Sequence, residues 1–339
     1  MSKQPVRIGV IGYGYWGPNL VRNFFVHKQS TVGMVADLDP AKLCKVEETY
    51  PTIRTTPDPA ELIDSPEIDA VVIATPVSTH YGLAKSVLLA GKHVFIEKPI
   101  SKTTAEAEDL IELAKEHQRV VLVDHTFLYT GAVRRMKEVI DRNELGELYY
   151  FDSERINLGL LQQDVDVMWD LATHDLSILF YLFDERPADV QAIGYRHVNS
   201  AQDEMATLNL GYASGFHAHI RVSWLSPVKM RLTMIAGSKK MIVYDDVEPS
   251  EKVRIYDKGI GLETNDEEVT TFKPIYRAGD VFIPELDRTE ALQVETQHFL
   301  DCIQQGTKPI SGAKEGLEVV RVLEAAQRSL SSGNKVIPL

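Results

Sequence analysis

The 339-residue chain is too long for one compact core and predicts about two domains. Its hydrophobic (44%) and charged (25%) fractions are those of a water-soluble globular protein. A net charge of −13 argues against nucleic acid or an anionic membrane as a partner, while leaving room for a local basic pocket.

Over residues 1–125 β-branched runs (6–11, 31–36, 70–74, 93–96, 120–123) alternate with helical stretches (19–25, 41–48, 59–64, 80–90, 104–116). This alternation predicts an α/β domain with a doubly wound parallel sheet, whose ligands bind beyond the carboxyl ends of the strands. The first run, on Val6, Ile8, Val10 and Ile11, feeds directly into Gly12-x-Gly14-x-x-Gly17, with Tyr13, Tyr15 and Trp16 at the variable positions. Gly12 permits a tight strand-to-helix turn, Gly14 lets main chain approach a pyrophosphate, and Gly17 removes a side chain where helix and strand pack. The helix N-terminus then offers free N–H groups to the anion. The second strand run ends in Asp37, 25 residues after Gly12, where a carboxylate can accept both ribose hydroxyls of NAD and repel the extra phosphate of NADP. This end of the chain is expected to bind NAD.

Past His125 the texture changes. A helix (131–142), an alternating strand (147–157) and an apolar helix (167–183) are followed by strand-like segments at 189–197, 206–212, 215–223, 230–236, 240–244 and 252–256. Strands linked so closely are antiparallel, because a parallel link takes a dozen or more residues. Residues 259–287 read as a polar loop or edge strand, and helices return at 291–304 and 313–332. Residues 126–339 are therefore expected to form an α+β domain: an open, mostly antiparallel sheet with helices on one face, the C-terminal helix being a candidate to pack back on the first domain. The uncovered sheet face is a natural oligomer interface.

Several side chains could carry chemistry. In H-V-F-I-E-K-P, Glu97 and Lys98 follow a strand and Pro99 restricts the backbone before it. An ammonium there can stabilise negative charge on a reacting oxygen. Asp170 and His174 are four apart, hence on one face of a helix, and the histidine titrates in the range needed to take a hydroxyl proton. In A-T-P-V-S-T-H, Thr75 and Ser78 can donate to ribose or phosphate, Pro76 can line the nicotinamide side, and His80 closes the stretch. An equally good reading makes Ser78 or Thr79 the cap of the following helix. His125, Arg155 and Asn157 are substrate-contact candidates, while His217 and His219 share one face of a strand without a third metal ligand.

Cys44 and Cys302 lie far apart with no C-x-x-C or Cys/His ligand spacing, so neither a disulfide framework nor a metal site is expected. The start M-S-K-Q-P-V has no signal-peptide pattern, and no run of about 18 apolar residues occurs, which makes the cytoplasm the expected location.

With Gly12–Gly17, Glu97-Lys98-Pro99 and Asp170-x-x-x-His174 in this order, the chain resembles the glucose–fructose oxidoreductase / inositol dehydrogenase (Gfo/Idh/MocA) family over essentially its whole length. The resemblance implies a Rossmann domain followed by the α+β domain, with Lys98 touching cofactor and substrate. It implies His174 as general acid or base with Asp170 beside it, a cofactor-lining role for the Thr75–His80 stretch, and a cis peptide before Pro99. It also implies a homodimer or homotetramer through the exposed sheet face. Asp166-Val167-Met168-Trp169 replaces the glycines that often precede the family aspartate, and Ala172 replaces a common glycine, changes on the substrate side. The expected activity is NAD-dependent hydride transfer at a ring carbon of a sugar, nucleotide sugar or inositol. The alternatives are a family enzyme for a non-sugar substrate, such as a dihydrodiol, and a non-catalytic dinucleotide sensor. The sensor predicts a lost Lys98 or His174, and both are present.

Overall fold

A computed structural model describes residues 4–159, 165–198, 201–262 and 274–339. The chain divides into two compact units, Met1–Tyr129 with Thr289–Glu324, and Thr130–Arg288 with Ala325–Leu339.

In the first unit strands and helices alternate as β1 (Val6–Ile11), α1 (Gly17–Val26), β2 (Ser30–Ala36), α2 (Pro40–Thr49), β3 (Arg54–Thr56), α3 (Pro59–Asp64), β4 (Ala70–Ile73), α4 (Val77–Leu89), β5 (His93–Glu97), α5 (Thr104–Glu116) and β6 (Val121–Asp124). Local chemistry sets the helix starts. Asp39 and Asp58 each accept a main-chain N–H of their helix, with proline at its first position. Thr103 and Glu106 form a reciprocal capping box on α5. The six strands form one parallel sheet in the order β3-β2-β1-β4-β5-β6. Strands β4 and β6 are buried along their whole length, as a sheet covered on both faces requires. The polar edge strand β3 has no apolar pattern that periodicity could detect.

The second unit contains α6 (Gly131–Asp141), β7 (Leu148–Leu158), a π-helical turn (Met168–Ala172), α7 (Thr173–Leu182), β8 (Asp189–Tyr195), β9 (Met205–Gly211), β10 (His217–Ser223), β11 (Leu225–Gly237), β12 (Met241–Asp245), β13 (Val253–Tyr256), β14 (Gly259–Leu262), β15 (Pro274–Arg277) and β16 (Val281–Phe282). The chain continues with α8 (Ala291–Gln305), α9 (Ala313–Ser331) and β17 (Ile337–Pro338). The large sheet runs β16-β13-β12-β11-β7-β10-β9-β8-β17. Its pairs are antiparallel except β7 with β10, whose connection contains α7, β8 and β9. Ala206, Leu208, Leu210, Ala218, Ile220 and Val222 point to the buried face, and the residues between them are half-buried or exposed. That one-sided alternation is the open sheet expected.

Two expectations change. The predicted helix 167–183 is a π-helical turn followed by a shorter α-helix, and the Thr173 hydroxyl donates to the Trp169 carbonyl at 2.6 Å inside it. Within the irregular stretch 259–287, β14 pairs with β15 and β16 joins the large sheet, while residues 263–273 lie outside the described part.

The core of the first unit gathers Val10, Leu20, Val35, Val72, Leu122 and Leu300 around Phe24, Phe95 and Phe299. The three rings meet edge to face with centroids 5.5–6.2 Å apart, the favoured aromatic geometry. The turn from β1 into α1 is close-packed: a β-carbon on Gly17 would lie 2.2 Å from the Gly12 carbonyl oxygen, whereas one on Gly14 meets nothing within 4 Å. Gly12 itself has φ +99° and would press a β-carbon against the Ala74 carbonyl at 2.4 Å. Gly17→Ala should therefore cost about 3 kcal/mol, and Gly14→Ala a few tenths at most, in urea-unfolding midpoints. Equal effects would show that the turn does not set the packing.

Candidate active site

The sheet order brings the carboxyl ends of β2, β1, β4, β5 and β6 side by side. The residues that follow them are Asp37, the Gly12–Gly17 loop, Thr75 and Pro76, Lys98, and His125. Asp37 accepts the Tyr13 N–H at 2.7 Å and the Asp39 N–H at 2.9 Å, and Lys42 stands 3.4 Å away. A carboxylate has about four acceptor positions, so capacity is left for a ribose diol. Helix α1 has no side-chain cap and no acidic residue in its first turn, and Gly14 leaves the main chain open to close approach. These features fit the pyrophosphate and adenosine ribose of a dinucleotide. Tyr13 and Trp16 are half-buried, and Tyr15 is exposed.

In the Thr75–His80 stretch the helix-cap reading of Ser78 or Thr79 does not hold, and His80 turns inward. The N-cap of α4 is Pro76; Ser78 and Thr79 lie within the helix, and Thr79 donates to the Pro76 carbonyl at 2.8 Å. Thr75 is half-buried, its hydroxyl 2.7 Å from that of Thr79, and Ser78 is exposed. His80 is buried, with Nδ1 2.8 Å from the Pro99 carbonyl and Nε2 2.8 Å from the Thr75 carbonyl. Its ring ties the loop after β4 to the loop after β5. A neutral imidazole donates to one of these two carbonyls, and the ring is packed between both.

Lys98 is half-buried beside half-buried Glu97, and the Lys98–Pro99 peptide is cis. Burial pushes the Asp124 carboxyl up, and the Lys98 charge, which reaches the end of β6, opposes that shift and disfavours protonated His125. His125 is 1% exposed and, among the described residues, neither ring nitrogen has a hydrogen-bond partner. Burial first, then Lys98, pushes it down to about 3, so the ring is neutral. The Trp16 indole donates to Asp124 at 2.7 Å and the Thr126 hydroxyl donates to its other oxygen. Glu295 of α8 is fully buried against the same carboxylate. Sequence reading missed this residue because it falls on the apolar face of a helix, between Leu292 and Phe299.

Asp170 and His174 belong to the second unit, where both are half-buried. Asp170 sits in the π-helical turn and accepts the Trp224 indole N–H at 3.0 Å; His174 is the second residue of α7. The turn is started by Asp166, which accepts the N–H groups of Met168 (2.9 Å) and Trp169 (3.2 Å) and is pushed up to about 6 by burial. Arg155 does not behave as a substrate contact. It is buried, and its guanidinium grips Asp175 through Nε (2.8 Å) and Nη2 (3.1 Å), because the inward side of β7 faces α7. Asn157 is half-buried near the end of β7. His219 pairs with Asp152 at 3.0 Å on the outer sheet face, and His217 is exposed. No group of His, Cys, Asp or Glu among the described residues could hold a metal ion, and no described helix is long and apolar enough to cross a membrane.

Residues 6–125 match the family profile described as an oxidoreductase family with an NAD-binding Rossmann fold, and residues 137–339 match that family's C-terminal alpha/beta domain. The UDP-N-acetylglucosamine 3-dehydrogenase of Acidithiobacillus ferrooxidans is 28% identical over 322 residues, covering 95% of both chains. The myo-inositol 2-dehydrogenase of Thermotoga maritima is 24% identical over 342 residues, covering 98% of both. The crystal structure of GenD2 from gentamicin A biosynthesis, in complex with NAD, superposes with a TM-score of 0.83 at 21% identity over 99% of this chain and 97% of that one, a likeness of fold. Two matched domains with the glycine loop and E-K-P in their expected places settle the family: the chain is an NAD-dependent oxidoreductase of the Gfo/Idh/MocA family.

Proposed function

We propose that the chain oxidises, or in reverse forms, a secondary alcohol on the ring of a sugar, nucleotide sugar or inositol. The observation that carries this reading is Lys98 emerging at the carboxyl end of β5, one strand from the β4 loop and two from the glycine loop. Full-length relatives named as dehydrogenases of a nucleotide sugar and of an inositol support the substrate class.

Bound NAD supplies the two-electron acceptor for hydrogen leaving the substrate carbon. The residues must then manage the hydroxyl proton and the charge on oxygen. His174 takes the proton, since an imidazole titrates near neutrality and can return it in the reverse direction. Asp170, held by the Trp224 indole, orients that ring. The Lys98 ammonium stabilises negative charge developing on the oxygen. Asp37 selects NAD, because its carboxylate can accept ribose hydroxyls and repels a 2′-phosphate.

Nicotinamide absorbance with NAD and a panel of inositols, free hexoses and UDP- or dTDP-hexoses tests the substrate class; turnover of one group identifies it. Lys98→Ala and His174→Ala should each lower kcat about a hundredfold or more while NADH still binds. Wild-type rates in both variants would remove these residues from the mechanism. Asp37→Ser with Leu38→Arg should move the preference towards NADP; Leu38 is exposed and free to change. An unchanged ratio of kcat/KM values for the two cofactors would count against Asp37. The outer face of the large sheet, with Tyr150, Leu232, Met234 and Val243 half-buried, is the surface for a second copy of the chain. Light scattering at the monomer mass, 38.0 kDa, would overturn that assignment.

A further inference from the structure

Two carboxyl groups meet inside the first unit, one at the end of β6 and one on α8. Asp124 is 2% exposed and Glu295 is 0% exposed. Each oxygen of Asp124 accepts one hydrogen bond, from the Trp16 indole N–H at 2.7 Å and from the Thr126 hydroxyl, and acceptor positions are left for a third donor. Among the described residues no N–H or O–H group donates to either oxygen of Glu295 in hydrogen-bonding geometry. Two ionised carboxylates cannot share a site from which water is excluded, so the pair keeps one proton. The donors decide where it sits. Burial pushes both carboxyls up, Glu295 well above its ordinary range. Asp124 carries the charge that two donors and the nearby Lys98 stabilise, while Glu295, whose neighbouring Thr126 hydroxyl is already given to Asp124, keeps the proton and gives its hydrogen bond to Asp124.

The partner of this pair is a residue of the cofactor loop. Trp16 fills the last position before Gly17 and is the uncapped N-cap residue of α1. Its orientation therefore fixes how the first amides of α1 are presented. We propose that Glu295, as a neutral acid, is a positioning residue for cofactor binding: it holds Asp124 against the Trp16 indole, and through Trp16 it sets the geometry of the glycine loop. This rests on the dinucleotide reading of that loop. The other titratable groups that act on the pair are Glu97 and Lys98 after β5, and Tyr129 faces Glu295 from the turn after β6.

Glutamine can give Asp124 the same hydrogen bond without a titratable proton; leucine cannot. NADH titrations of the full chain should find Glu295→Gln within about twofold of wild type and Glu295→Leu roughly tenfold weaker, with kcat at saturating NAD little changed. Trp16→Phe should weaken binding to a similar degree, and Trp16→Phe with Glu295→Leu should be no weaker than Trp16→Phe alone, because both variants break one chain of contacts. Wild-type affinity in Glu295→Leu, equal damage from Gln and Leu, or additive losses in the double variant would each overturn the proposal.

Thermal unfolding without cofactor keeps this test separate from the dinucleotide reading. In the folded state Glu295 is raised well above its ordinary 4.5 by burial and then by Asp124, whereas the unfolded chain releases that proton near 4.5. Wild-type stability should fall relative to Glu295→Gln as pH rises above that value, and the two should converge below it. A difference in Tm that does not vary with pH would show that Glu295 is buried as an ordinary space-filler. Failure of the wild type to bind NADH, with the pH-dependent difference intact, would count against the dinucleotide reading and leave the carboxyl pair standing.

Discussion

The carbonyl oxygen of Gly12 lies where a β-carbon on Gly17 would have to be, 2.2 Å away. That contact decides how tightly the chain turns from β1 into α1, and much else follows from it. A looser turn would lift the first amides of α1 from the edge of the sheet and carry Trp16 away from Asp124. The neighbouring strands hold the turn from the other side, since Gly12 also packs on the Ala74 carbonyl at the end of β4. The next loop along is fastened by His80 between the carbonyls of Thr75 and Pro99. The glycine loop is thus joined to the β4 loop by a main-chain contact, and the β4 loop to the Lys98–Pro99 turn by the buried His80 ring. Main-chain contacts change little when surface side chains change.

Charge at this edge of the sheet needs its own explanation. Helix amides attract a pyrophosphate, yet Asp37, Glu97, Asp124 and Glu295 all belong to the same end of the unit as Lys98. Asp37 is partly neutralised by two N–H donors and by Lys42. Asp124 has the Trp16 and Thr126 donors, and Glu295 holds its proton. His125 contributes nothing, because burial keeps it neutral. With His125 neutral and one proton kept by the carboxyl pair, Lys98 faces a single buried anion at the β6 end, and a cation there suits an oxygen that becomes negative.

How much of this was legible depended on the range of the interaction. The alternating first unit, the glycine loop, Asp37 and the E-K-P lysine rest on local patterns of period 2 or 3.6 and on turn chemistry, and these can be read from a few residues. The caps of α2, α3 and α5 are local in the same sense. Strand β3 is three polar residues, so its pairing with β2 is a tertiary fact. The π-helical turn hides in a stretch that reads as helix, since widening by one residue leaves the apolar periodicity nearly intact. Glu295 is invisible because its partner, Asp124, is far away in sequence, and an acidic residue on a helix is ordinarily solvated. Arg155 was misread for the opposite reason. An arginine near a strand end suggests an anion site, but its anion is Asp175 of the same unit.

That ion pair bears on the geometry of the proposed proton acceptor. Asp175 immediately follows His174 in the first turn of α7 and is 1% exposed, gripped by Nε and Nη2 of Arg155 and by the Ser153 hydroxyl at 2.8 Å. A buried pair of this kind is a poor source of net stability, because desolvating both charges offsets most of their attraction. Its directional hydrogen bonds nevertheless allow α7 one rotation about its axis relative to β7. With Asp175 turned inward, the neighbouring His174 is carried about 100° around the helix, off the buried face. Asp166 and the Trp224 indole fix the preceding turn in the same way, from its start and at Asp170. The chemistry proposed for the Asp170–His174 pair therefore depends on charges that never meet the substrate, and Arg155 contributes to it from within the core.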